Sequence, residues 1–141
     1  VFSRDDSAGS QTAGSSAERV LIIEDDFLVA TEMEAALRDA GLQTVGIAAS
    51  AREALELAVT QKPHLAVVDI RLAGGSDGVE AAVQLLRAHG IRCVFATAHA
   101  DADTRARAAA ASPLGWLQKP YTMASLVFLV RDALSKVRRN R

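Results

Sequence analysis

Apolar residues follow two alternating rhythms along this chain: short unbroken runs, and longer stretches with apolar positions three or four apart. The runs at 20–23 and 65–69 have no polar alternation, which suits strands covered on both faces, as in a parallel sheet flanked by helices. Further strands are expected at 43–48, 92–97 and 114–118. Between them the helical rhythm predicts a first helix over 27–40, with Leu28, Met33, Ala36, Leu37 and Ala40 on one face and Gly41 just past its end. Ser50 reads as the N-cap of a second helix reaching 61, with Glu53 completing a capping box, and Ala51, Ala54, Leu55 and Ala58 inward. A third helix over 78–89 turns Val79, Ala82, Val83 and Leu86 inward and is closed by Gly90. A fourth, over 103–111, is rich in alanine and arginine and poor in large apolar anchors. The last helix starts from Thr122, and its residues Leu126, Leu129, Val130, Ala133, Leu134 and Val137 make a continuous apolar stripe. Five strand–helix repeats predict a doubly wound α/β sandwich with a parallel sheet.

Composition narrows this picture. The 141 residues suffice for one domain with a substantial core. Residues 1–17 are Ser-, Gly-, Ala- and Thr-rich and bury too little to offset ordering, so a flexible tail or linker is expected there. The domain proper then covers 18–138, with 139–141 a basic tail. Sixteen basic against seventeen acidic residues give a formal charge of −1, which argues against a broad surface for nucleic acid or an anionic membrane. No apolar run approaches the roughly 20 residues of a membrane span. The lone Cys93 forms no internal disulfide and suits a reducing compartment, so a cytoplasmic location is expected. Cys93 itself reads as an inert buried thiol, and His64 and His89 as surface residues without a role.

The chemistry gathers at the strand ends. The first strand ends in Glu24, Asp25 and Asp26, the third in Asp69, the fourth in Thr97 and the fifth in Lys119. In a parallel sheet all carboxyl ends share one edge, the edge where open α/β sheets bind ligands. Clustered carboxylates raise one another's pKa unless a cation joins them. Mg²⁺ (or Mn²⁺) suits such a set, because it accepts one or two carboxylates and keeps positions for water and phosphate oxygens. Asp69 is then placed as a nucleophile toward phosphorus, with Lys119 neutralising charge on the transferring group and Thr97 bonding a phosphoryl oxygen.

The marks IIEDD, VVDI, FATA and QKP, each at the end of an expected strand, together resemble the receiver domains of response regulators, the chemotaxis-regulator-like modules of two-component signalling. The resemblance runs from Arg19 to about Arg138. It implies the flavodoxin-like strand order 2-1-3-4-5. It also implies Asp69 as phosphoacceptor, Asp25 as a direct metal ligand, Glu24 as a ligand through water, and the backbone carbonyl of Arg71 as a further ligand. Thr97 and Lys119 take the switch-hydroxyl and phosphate-contacting positions, with Pro120 following through a cis peptide. Asp26 either competes for metal or caps the first helix. The phosphodonor is a histidine kinase or a histidine phosphotransfer protein. The output surface, or a homodimer contact, is the face of helix 4, strand 5 and helix 5. The module works as a switch and not as a turnover enzyme.

Several positions depart from the commonest pattern. The loop after Asp69 reads Leu72-Ala73-Gly74-Gly75 where Met-Pro is usual, and it is one residue longer before Asp77. The aromatic switch position holds Trp116 in place of Tyr or Phe. Arg71 and His99, two residues after Asp69 and Thr97, occupy positions that tune phosphoryl lifetime in the family. Two other classes are weighed against this one. A phosphorylation-independent receiver-fold module is disfavoured by the intact acidic pair, Asp69 and Lys119. A phosphatase with a nucleophilic aspartate needs a general acid two residues on, where this chain has Arg71, a group that does not give up a proton usefully.

Overall fold

A computed structural model describes residues 17–72, 77–98 and 100–140. In chain order the elements are β1 (Arg19–Ile23), α1 (Phe27–Asp39), β2 (Gln43–Ala48), α2 (Ala51–Gln61), β3 (Leu65–Asp69), α3 (Gly78–His89), β4 (Arg92–Thr97), α4 (Ala102–Ala108), β5 (Trp116–Gln118) and α5 (Met123–Arg139). The sheet has five strands in the order β2-β1-β3-β4-β5. Every pairing is parallel. This is the α/β architecture and the 2-1-3-4-5 order expected above. Of the tail expected over 1–17, only Ala17 falls among the described residues.

All five residues of β3 are buried, as its unbroken apolar run requires. Alternate strand residues feed two cores. Leu21, Ile23, Ala66, Val68, Cys93 and Phe95 meet α2, α3 and α4 on one side of the sheet. On the other, Val20, Ile22, Leu65, Val67 and Val94 meet α1 and α5. The strand ends are held level by this double burial, since a one-residue slip would swap every side chain between the two layers.

Helix termini follow local chemistry. Asp26, Ser50, Asp77, Asp101 and Thr122 cap the five helices, each accepting from backbone N–H groups in the first turn. Gly41, at φ +88°, follows the end of α1, and Gly90, at φ +67°, ends α3. Helix α2 ends on Lys62 at φ +46°, where no glycine stands. There the Arg19 guanidinium bonds the Gln61 and Lys62 carbonyls, while the Arg19 N–H donates to His64 Nδ1 at 2.9 Å. His64 is therefore half-buried and structural, not an idle surface group.

Other expectations need correction. Leu28 is not inward but 76% exposed, and Ala30, Met33 and Leu37 make the buried face of α1. In α3 the buried positions include Ala81 and Leu85, with Leu86 only partly covered. The capping box at α2 is displaced: Ser50 caps the Glu53 N–H, but Glu53 Oε1 accepts from Ala49 N–H at 2.7 Å, one residue before the cap. The box with both halves present is at α5, between Thr122 and Ser125. Helix 4 begins at Ala102 and gives way to a 3-10 turn over Ala109–Ala111. Strand 5 begins at Trp116, two residues later than expected.

Candidate functional site

Each strand end delivers its polar group to one edge. Parallel register sets Ile23 beside Val68, Asp69 beside Ala96, and Thr97 beside Gln118, so the residues that follow emerge together. Glu24 N–H still bonds Ala48 O at 2.9 Å, and Lys119 N–H bonds Thr97 O at 2.8 Å, which ties the loops to the sheet. The Lys119–Pro120 peptide is cis. Glu24 (4% exposed), Asp69 (7%) and Thr97 (5%) are buried, whereas Asp25 is exposed at the mouth.

Lys119 Nζ lies 3.3 Å from Asp69 Oδ2 and 4.0 Å from Glu24 Oε1. Asp69 Oδ1 accepts the Arg71 N–H at 3.2 Å, and Glu24 Oε2 accepts the Asp26 N–H at 3.1 Å. The carboxylate oxygens of Glu24, Asp25 and Asp69 offer ligand atoms within 4.8 Å of one another. Burial pushes the Glu24 carboxyl up to about 7, and the adjacent Asp69 adds to the rise against the opposing pull of the Asp26 N–H and Lys119. Glu24, Asp25 and Asp69 together offer an all-oxygen, anionic donor set at the sheet edge, which fits a hard divalent ion.

The raised pKa has a sign that can be checked. Between about pH 4.5 and 7 the folded protein keeps a Glu24 proton that the unfolded chain has lost. Stability from this group is therefore full below about 4.5 and is lost as pH rises through about 7, a change of about 3 kcal/mol. Urea denaturation without divalent ions is expected to show that fall, and Glu24→Gln to flatten it. An unchanged slope in the variant would assign the pH dependence to other groups.

Asp26 caps α1 through the Leu28 and Val29 N–H groups and lies outside the acidic trio, which favours the capping alternative. Arg71 has an exposed side chain, and its contact with Asp69 is the backbone one. His99 and the loop residues 73–76 lie outside the described residues. Trp116 is half-buried with its ring 5.1 Å from that of Phe95, and the Arg105 guanidinium lies 4.6 Å over it. Cys93 is buried, and burial pushes its thiol up to about 12, so it is inert as expected.

Three groups near the site were not singled out from sequence. Arg107 Nη1 pairs with Asp77 Oδ2 at 2.8 Å, joining α4 to the start of α3. Arg105 is the second, through its contact with Trp116. Nothing in local sequence marks either, because both meet partners that are close only in the fold. Tyr121 is the third: its hydroxyl is buried with no hydrogen-bond partner among the described residues. Its signal was available, since it is the single tyrosine and follows Lys119 by two.

Residues 20–131 match the family model of the response regulator receiver domain. The transcriptional regulatory protein PdtaR of Mycobacterium tuberculosis is 33% identical over 120 residues, 85% of this chain and 58% of that protein. The phyllosphere-induced regulator PhyR of Methylorubrum extorquens is 32% identical over 130 residues, 92% of this chain and 48% of the relative. The chain thus spans about half the length of these curated relatives. Among solved structures, the signal receiver domain of a modulated diguanylate cyclase from Desulfovibrio desulfuricans G20 superposes with a TM-score of 0.81 at 32% identity, covering 89% of this chain and 100% of that one. A CheY-like receiver protein from Methanospirillum hungatei JF-1 shares the fold at a TM-score of 0.82 and 23% identity, over 89% and 100% of the two chains. With the strand order, the buried acid at the end of β3 and the family match in agreement, the chain belongs to the response regulator receiver domain family of two-component signalling.

Proposed function

We propose that Asp69 accepts a phosphoryl group from a phosphohistidine on a histidine kinase or phosphotransfer protein, and that the acyl phosphate so formed switches the α4–β5–α5 face. A receiver domain is a signalling module rather than a turnover enzyme, and it implies a cognate histidine kinase. The observation that carries the proposal is the pairing of a buried strand-end carboxylate with an ammonium 3.3 Å away, inside a trio of acids. A structural ion pair alone would not call for the two further carboxyl groups.

Asp25 and Asp69, the carbonyl of Arg71, and Glu24 through water would hold the divalent ion. That ion supplies charge neutralisation for the incoming phosphoryl oxygens. The Arg71 N–H fixes the rotation of the Asp69 carboxylate. An Asp69 oxygen attacks phosphorus, the P–N bond to the donor imidazole breaks, and its electron pair stays on that nitrogen. Lys119 meets the negative charge that the transfer brings to the pocket. Thr97, buried beside it, bonds a phosphoryl oxygen and draws the end of β4 inward. That movement alters the support of Trp116 and of α4, which buries little beyond Ala108 and is fastened on its flank by Arg105 and Arg107. An element with so few apolar contacts moves at low cost. The α4–β5–α5 face is where an output partner or a second copy would read the change. A phosphohistidine donor is in keeping with a cytoplasmic location for the domain. Among the described residues no helix is long and apolar enough to cross a membrane.

Incubation with acetyl phosphate and Mg²⁺ tests the reading. The expected result is a mass increase of one phosphoryl group at Asp69 and a change in Trp116 fluorescence. Absence of both, with beryllofluoride also silent, would return the chain to a phosphorylation-independent module.

A further inference from the structure

Of the seven residues of α4 only Ala108 is buried, so polar side chains do much of the work of holding this helix. Arg105 and Arg107 stand two residues apart and therefore leave different sides of a 3.6-residue helix. Arg107 pairs with Asp77 at the start of α3. Arg105 reaches two other elements at once. Its Nε donates to the Ala100 carbonyl at 3.1 Å, in the loop between Thr97 and α4. Its guanidinium carbon also stands 4.6 Å from the centroid of the Trp116 ring on β5. A cation at that distance over an indole is attracted by the ring face.

The two partners of Arg105 are not equally fixed. Trp116 is paired in the sheet with Phe95, and its ring lies 5.1 Å from the ring of that fully buried residue. Ala100 lies three residues past Thr97, the last residue of β4, where strand pairing has ended. A pull on Thr97 toward the acidic pocket therefore moves Ala100 relative to the indole. One guanidinium cannot follow both. The hydrogen bond is the shorter and more directional contact, so the guanidinium goes with the carbonyl and leaves the ring.

We infer that Arg105 is a positioning residue of the switch: it tethers the loop after Thr97 to Trp116, and so opposes the movement that phosphoryl binding at Asp69 demands. The inference rests on the phosphoacceptor reading of Asp69 and adds to it the group that sets the cost of switching. A contact made only before the movement lowers the affinity of any ligand that favours the moved arrangement, and its removal raises that affinity by the same factor.

Trp116 is the single tryptophan of the chain, so its fluorescence reads the contact directly. The test compares the wild type, Arg105→Ala and Arg107→Ala by acrylamide quenching without metal, and then by beryllofluoride titration in Mg²⁺. Arg105→Ala is expected to quench more steeply and to bind beryllofluoride about two- to fivefold more tightly, the worth of one exposed cation–π contact. Its fluorescence change on binding should be smaller than that of the wild type, because no cation is left to depart from the ring. Arg107→Ala, which removes the pair to Asp77, should quench like the wild type. Wild-type quenching in Arg105→Ala, or beryllofluoride affinity that is equal or weaker, would overturn the inference and leave the phosphoacceptor reading standing. Arg107→Ala reproducing both effects would also overturn it, since a general loosening of α4 would then explain them. A wild type that binds no beryllofluoride would remove the phosphoacceptor reading, and the inference with it.

Discussion

Gly78→Ala is expected to destabilise the protein by about 3 kcal/mol or more and to abolish Mg²⁺-dependent labelling of Asp69. The cause is a close approach of backbone to backbone. A Cβ at Gly78 would stand 2.0 Å from the Asp69 carbonyl oxygen and 2.8 Å from Ile70 Cα. Neither atom is the end of a flexible side chain, so α3 or the end of β3 must shift. Gly78 N–H also donates to Ile70 O at 2.8 Å, and Asp77, just before it, caps α3 and bridges to Arg71. A displaced α3 therefore pulls on the segment that orients the Asp69 carboxylate. The helix propensity gained by alanine, about 1 kcal/mol, does not offset this. Gly90→Ala is the contrast, because a Cβ there meets nothing within 4 Å and only the positive φ is strained. It should cost about 1 kcal/mol and leave labelling intact. Urea midpoints of the two variants, read beside acetyl phosphate labelling, check the pair. A Gly78→Ala protein as stable as Gly90→Ala would show that the edge beside Asp69 yields easily.

The parts of this molecule legible in its sequence are those where one local pattern has one structural meaning. The strands at 43–48, 65–69 and 92–97 coincide with β2, β3 and β4, and for β3 the reason is that a strand covered on both faces leaves an unbroken apolar run. The convergence of Glu24, Asp69, Thr97 and Lys119 was legible for a topological reason: parallel strands bring all their carboxyl ends to one edge. Leu28 shows where pattern fails. Five residues before Met33 and nine before Leu37, Leu28 lies on the other side of a 3.6-residue helix, so it faces solvent while the small Ala30 goes inward. Helix 4 was blurred at both ends because its buried contacts are alanines, which carry little periodic signal. The Arg19 clamp on α2, the Arg107–Asp77 pair and the Arg105–Trp116 stack were invisible for a different reason. Each is a meeting of long side chains with groups far away in sequence, and such meetings depend on side-chain direction rather than on spacing.

Asp69→Asn is expected to lose all phosphoryl labelling and, without metal, to be at least as stable as the wild type above about pH 7, because it relieves the repulsion between two carboxylates. The two effects have one origin. Asp69 stands as a carboxylate against Glu24 in a buried pocket, with the partly exposed Lys119 as their shared cation. An asparagine keeps an oxygen for the Arg71 N–H but removes the charge. It forfeits the ion pair to Lys119, yet it also lifts the repulsion that helps hold the Glu24 carboxyl near 7. Glu24 should then ionise at lower pH and take Lys119 as its own partner, since their atoms are already 4.0 Å apart. Removing one of two like charges that share a single cation relieves their repulsion, and because Glu24 inherits Lys119 the ammonium is not left unpaired. Mg²⁺ should bind the variant about tenfold or more weakly, because one of three acidic ligand groups has gone. Labelling, urea denaturation at about pH 8, and a Mg²⁺ titration measure the three effects on one protein. Labelling at the wild-type level would move the acceptor to another residue. A variant clearly less stable than the wild type in the absence of metal would mean that Lys119 more than balances the two acids. The metal-free pocket would then be a balanced ion-pair network, and the phosphoacceptor reading would stand or fall on the labelling and the Mg²⁺ titration alone.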